Sequence, residues 1–121
     1  MPVEYVAFIV ESEWDPTAVT EEQWTAVMLQ HRAFAEAVQA AGAQLLGGDA
    51  LQPPATAVRI ERPGPGDHVV FTDGPFGEVR EIVTGYYKIG ARDAEQAREL
   101  AALIPTSGHV DLYPVMDTGS M

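Results

Sequence analysis

The chain has 121 residues, 46% of them apolar, which is the size and composition of one soluble globular domain. Acidic residues outnumber basic ones 18 to 7, and the net charge of −11 argues against binding to nucleic acid. The absence of cysteine excludes disulfides, thiolate catalysis and cysteine-ligated metals. The longest apolar run near the start, residues 5–10, is too short to span a bilayer and follows no basic segment, so we expect a cytoplasmic protein that does not enter membranes.

The first third of the chain predicts a strand followed by a long helix. Val3 to Val10 is apolar, β-branched and aromatic, as is typical of a strand buried on at least one face. Thr20, followed by Gln23 three positions later, predicts a capping box at a helix N-terminus. We expect this helix to reach about Ala41, with Gly42 as its C′ residue.

The rest of the chain predicts short strands and a second helix. Four segments have the length and composition of strands: 43–51, 55–61, 68–72 and 85–91. The pair Gly47-Gly48 in the first of them indicates a bulge or a close approach of the backbone. Asp93 then predicts the N-cap of a helix to about Leu103, and residues 109–115 predict a last strand.

This order of elements predicts two βαβ halves that share one antiparallel sheet, in a ferredoxin-like α+β domain with both helices on one face. We expect residues 1–116 to form this single domain and 117–121 to be a loose tail. The first strand carries apolar side chains on both faces, whereas the helices cover only one face. We therefore expect a homodimer that buries the other.

Several segments resemble the DGPF group of the YCII-related family. The residues of the pattern are, in order, Thr72-Asp73-Gly74-Pro75-Phe76, Glu78, Glu81 and Gly85-Tyr86-Tyr87. The run GGDALQPP at 47–54 also agrees, and the similarity extends over residues 3–116. It implies a dimeric α/β-barrel assembly and small enzymes with a His–Asp pair in a pocket. One branch of that family removes chloride from chlorinated hydroquinones, and members are often encoded beside sigma factors.

His31 and Asp73 are the candidate catalytic residues. His31 lies in the middle of the apolar stripe of the predicted first helix, where it is either a core histidine satisfied by backbone or water, or a general base that faces a pocket. Its match to the helix histidine of the family makes the two readings equally strong. Asp73 is either a turn aspartate that binds its own backbone or the carboxylate that orients His31.

Three further residues are candidates for substrate binding. Glu81 lies between the DGPF turn and the Gly-Tyr-Tyr strand, and Asp49 lies beside the glycine pair. Surface charges are the ordinary interpretation of both. Tyr86 and Tyr87 point to opposite faces of their strand; we assign Tyr87 to the pocket, although the pattern does not decide between the two.

No cofactor or metal is expected. The three histidines lack the close spacing of a metal site, and there is no phosphate-binding or dinucleotide-binding motif. Two functions remain open. One is a cofactor-free lyase, dehydrochlorinase or isomerase that uses His31 for proton transfer on a small, ring-bearing molecule. The other is a non-catalytic module that binds a ligand or a protein in a sigma-factor pathway.

Overall fold

The computed structural model describes residues 2–12, 15–66, 68–75 and 81–119. The described strands are β1 (Val3–Glu11), β2 (Gln44–Ala50), β3 (Val58–Glu61), β4 (Val70–Asp73), β5 (Ile82–Ala91) and β6 (His109–Pro114), and the described α-helices are α1 (Glu21–Ala40) and α2 (Ala94–Ala101). The last two residues of the predicted tail, and Phe76 and Glu78 of the family pattern, lie outside the described residues. Within these ranges, no helix combines the length and the apolar character needed to cross a membrane.

Strands β2, β5, β1 and β6 form one antiparallel sheet in that order. The two helices pack on one face of it, which confirms the predicted α+β fold and is consistent with a ferredoxin-like domain. The core lies between these layers. It consists mainly of Ala7, Ile9, Phe34, Val38, Ile89, Leu100, Ala101 and Ile104.

Strands β3 and β4 do not join this sheet, so the prediction of one sheet for all the strands is wrong. They pair only with each other, as a separate two-stranded sheet. The reason is that β2 and β5 pair directly, so the segment between them lies outside the main sheet. Its two strands form a separate hairpin. One face of this hairpin presents Val58, Ile60 and Phe71, of which half to two-thirds of the surface is exposed.

The helix ends follow the local sequence signals. Thr20 and Gln23 form the predicted capping box, in which each residue's side chain accepts from the other's backbone N–H. Asp93 caps α2 by accepting from the backbone N–H of Gln96. Gly42 has a φ of +75°, the left-handed conformation that favours glycine after a helix. The capping box thus fixes where α1 begins, and Gly42 marks where it ends.

The sheet face opposite the helices also carries aromatic residues. The rings of Phe8 and Tyr113 pack edge to face, with their centroids 5.7 Å apart. Nearby, the ammonium of Lys88 lies 3.1 Å from the carboxylate of Glu4. This face has no covering element among the described residues.

Candidate functional site

A cavity of about 610 Å³ lies between the N-terminal half of α1 and the sheet. This volume is in the range that holds a small organic molecule. The apolar side chains around it are Ile9, Val19, Trp24, Val27, Met28, Ala50 and Pro105. The polar residues around it are Glu11, Gln30, His31, Asp49, Thr84, Tyr86, Tyr87, Thr106 and Ser107.

The cavity exists because the apolar stripe of α1 meets two different parts of the sheet. In the C-terminal half of the helix, Phe34 and Val38 are buried in the core. In the N-terminal half, Trp24 and Met28 remain 43% exposed. Beside that half, β5 contributes Gly85, and a residue without a side chain leaves a gap under the helix. Half of the stripe therefore lines a cavity.

The glycine pair in β2 has the irregularity that its sequence predicts, because the register with β5 shifts between Leu45 and Gly47. Gly48 also allows a close contact with β5. A Cβ atom at this position would lie 2.6 Å from Cδ1 of Tyr87, which is closer than two carbon atoms can approach. The bare backbone of Gly48 thus makes room for the ring of Tyr87.

His31 is fixed at the wall of this cavity by Tyr87. Its Nδ1 atom lies 2.6 Å from the hydroxyl oxygen of Tyr87, whose ring in turn packs on Phe34 with the centroids 4.7 Å apart. Partial burial lowers the pKa of His31, an effect that the nearby carboxylate of Glu11 opposes only in part. Burial also raises the pKa of Tyr87. Both groups are therefore neutral near pH 7.

Glu11 supplies a carboxylate that sequence reasoning missed. Its Oε1 accepts from the hydroxyl of Thr84 at 2.6 Å, and its Oε2 accepts from the backbone N–H and the hydroxyl of Ser107 at 2.9 and 2.6 Å. Partial burial acts to raise the pKa of Glu11, but these hydrogen bonds and the electrostatic interaction with His31 outweigh it, and the net pKa is lowered. The sequence could have indicated Glu11, because it is an acid at the end of an apolar strand. It could not have indicated Ser107 as its partner, because the two residues are 96 positions apart.

Asp49 borders the cavity, but its carboxylate is engaged elsewhere. It accepts a hydrogen bond of 2.8 Å from the hydroxyl of Tyr86. Because side chains alternate along a strand, this pair lies on the sheet face opposite Tyr87. Of the two neighbouring tyrosines, Tyr87 is thus the one whose phenol reaches His31, and its role in substrate binding stays a prediction. Binding of substrate by Asp49 stays a prediction.

The structure does not bring Asp73 together with His31. Asp73 ends β4 opposite Val58, within the separate hairpin, and among the described residues it neither borders the cavity nor forms a hydrogen bond with His31. The described partner of the imidazole is a phenol instead of a carboxylate. Glu81 is exposed just before β5 and does not border the cavity either. Their functional roles stay predictions.

Acidic and histidine side chains do not converge elsewhere in the described part of the chain. No three of them lie close enough there to hold a metal ion together. His109, for example, has a single acidic neighbour, Asp111, at 3.5 Å. The cavity beside His31 is thus a place where several titratable groups and apolar side chains meet without forming a metal site.

These features define a small α+β domain with a ligand-sized cavity under its first helix. Comparison with protein families finds that the model of the YCII-related domain matches residues 5–118. The chain therefore belongs to the YCII-related family. A search among curated proteins found no match to it.

Proposed function

We propose that this YCII-related domain is a cofactor-free enzyme that binds a small, ring-bearing molecule in the cavity and transfers a proton with His31. The observation that supports it most is the neutral imidazole of His31, held by Tyr87 at the wall of a largely apolar cavity. Membership of the DGPF group, on the pattern at 72–76 and 85–87, is part of the same proposal.

The proposed chemistry needs a group that can accept a proton and return it. In the tautomer whose Nδ1–H donates to the oxygen of Tyr87, Nε2 of His31 is unprotonated and takes a proton from a carbon acid or a phenol. In the imidazolium that results, Nδ1–H donates to the oxygen of Tyr87, and the carboxylate of Glu11 favours the new positive charge. Returning the proton to another atom gives an isomerase, and loss of a leaving group such as chloride gives a lyase or dehydrochlorinase.

The ring opening of 5-nitrobenzisoxazole tests proton abstraction directly. A base removes the proton on C3, the N–O bond breaks, and a coloured cyanophenolate forms, so the reaction needs no further reactant. We expect His31→Asn to lower the protein-catalysed rate about 100-fold or more. The matched control is His109→Asn, which changes an exposed histidine outside the cavity and should keep the rate.

The pH dependence adds a second criterion. Because partial burial lowers the pKa of His31 from the ordinary 6.5, the pH at which the rate falls to half its maximum should lie below 6.5. Equal rates in the two histidine variants would contradict the proposal.

Asp73→Asn, assayed in the same way, tests the other predicted catalytic residue. Binding in the cavity without any turnover would favour the non-catalytic module of a sigma-factor pathway.

A further inference from the structure

The charge of Glu11 is held in place at the edge of the cavity. Three donors from Thr84 and Ser107 bind its two oxygens, so that the carboxylate keeps one orientation and stays ionised. Oε1 accepts only one of these bonds and can accept another from a ligand. A carboxylate fixed in this way attracts a cation without first losing side-chain freedom.

Nothing cationic opposes this charge among the described residues that line the cavity. His31 and Tyr87 are neutral near pH 7, and no lysine or arginine is among the described lining residues. The carboxylate of Asp49 lies on the opposite sheet face, bonded to Tyr86. The described residues therefore create a negative potential inside the cavity, and an anion would enter against it.

The walls of the cavity suit a flat hydrocarbon. Trp24, Val27 and Met28 project from α1 into it and keep 36–43% of their surface exposed. Burial of this surface by a ring would be favourable. An indole also attracts an organic cation through its electron-rich face.

We infer that the cavity selects small aromatic ammonium ions over aromatic anions of the same shape, and that Glu11 is the residue responsible for this selection. The inference rests on the proposed function only in taking the cavity beside His31 as the ligand site. It does not require that proton transfer occurs. Substrates of the enzyme would then be ring-bearing amines, with neutral rings as weaker ligands.

The test compares three probes of nearly equal shape: benzylamine, benzyl alcohol and benzoate, which carry positive, zero and negative charge at neutral pH. Dissociation constants are measured by NMR titration of the cavity amides in the wild-type protein. We expect affinity to fall in the order given, with benzylamine roughly fivefold tighter than benzyl alcohol. In Glu11→Gln this preference should disappear, while the affinity for benzyl alcohol stays the same.

The control is Glu99→Gln, which removes the same charge from the exposed face of α2, away from the cavity. It should keep the preference. The inference is wrong if benzoate binds as tightly as benzylamine, if no probe binds, or if both glutamate variants behave alike. Should Glu11→Gln not fold, added salt in the wild type decides, since it must weaken benzylamine but not benzyl alcohol. Selective binding without any ring opening of 5-nitrobenzisoxazole would overturn the proposed function alone.

Discussion

Among the described residues, the hydroxyl of Tyr87 is the group that forms a hydrogen bond between the sheet and His31, and its removal tests that contact. Tyr87→Phe keeps the ring that packs on Phe34 but leaves Nδ1 of His31 partly buried without its partner. We expect the free energy of unfolding to fall by about 1–2 kcal/mol. We also expect the ¹⁵N spectrum of the His31 ring to change. Both are measurable, the first by urea denaturation.

Tyr86→Phe is the matched control, because it removes a hydroxyl from the neighbouring residue. Its partner is Asp49 on the opposite sheet face, in an exposed hydrogen bond. Such a bond contributes little. The stability should therefore change by less than in Tyr87→Phe, and the His31 ring should keep its spectrum. Equal effects of the two substitutions would contradict the positioning role of Tyr87.

The stability of the fold should depend on pH through His31. Since the folded protein holds the pKa of this group below 6.5, the unfolded chain binds more protons once the pH falls below that value. Stability is therefore lost as the pH falls from 6.5 through the lower pKa of the folded state. Glu11 adds a loss of the same sign, but only as the pH falls below 4.5.

His31→Gln removes the contribution of the histidine and keeps a polar side chain. Urea denaturation at a series of pH values between 7 and 5 should show that the wild type loses its advantage over this variant as the solution becomes acidic. Parallel stability curves for the two proteins would show that the pKa of His31 is not lowered by folding.

At the scale of the element, the two glycines of β2 differ in what surrounds them. A Cβ on Gly48 would lie 2.6 Å from the ring of Tyr87 and 2.8 Å from the carbonyl oxygen of Tyr86, whereas one on Gly47 meets nothing within 4 Å. We expect Gly48→Ala to cost about 1–3 kcal/mol of stability. It should also displace the ring of Tyr87 from His31, detected as a changed ring spectrum of the histidine.

Gly47→Ala serves as the control for the loss of a glycine from the same strand. It should leave the stability unchanged or raise it slightly, because alanine restricts the unfolded chain more than glycine does. If both substitutions had the same effect, the close contact between Gly48 and Tyr87 would not be what holds this part of the site.

The elements themselves were largely predictable because their signals are local. The capping box of Thr20 and Gln23 and the cap at Asp93 each depend on residues three positions apart, and the structure has them as predicted. The position of His31 on the apolar stripe follows from helical periodicity in the same way.

The site depends on contacts between distant residues and was only partly predictable. His31 and Tyr87 are 56 positions apart, and Glu11 and Ser107 are 96 apart. The periodicity of apolar residues in a sequence does not show which residues so far apart in the chain are in contact. Asp73 was expected beside His31 because the pattern around it resembles that of a family, but β4 pairs only with β3. The gap under α1 likewise depends on what the strands place beneath the helix.

For the whole molecule, the uncovered sheet face predicts a homodimer. Phe8 and Tyr113 form an aromatic pair on it, and the described part of the chain has no element over them. An apolar face of this kind is costly in water. We expect light scattering to give twice the mass of the chain at micromolar concentration, and Phe8→Glu to give the mass of a monomer.

Leu103→Glu is the control for adding a charge to an exposed apolar position. Leu103 follows α2 on the other layer and is 54% exposed. This variant should remain dimeric. A monomeric wild type, or a Phe8→Glu variant that stays dimeric, would contradict the assignment of this face to the dimer interface.

His31 carries the proposed function as a neutral imidazole at the wall of a ligand cavity. An NMR titration of its ring in the wild-type protein, with and without benzyl alcohol, tests this most directly, with His31→Asn identifying the signal. We expect a pKa below 6.5 for His31 and ring signals that shift when benzyl alcohol is added. A pKa at or above 6.5, together with ring signals that do not change when benzyl alcohol is added, would contradict this role of His31.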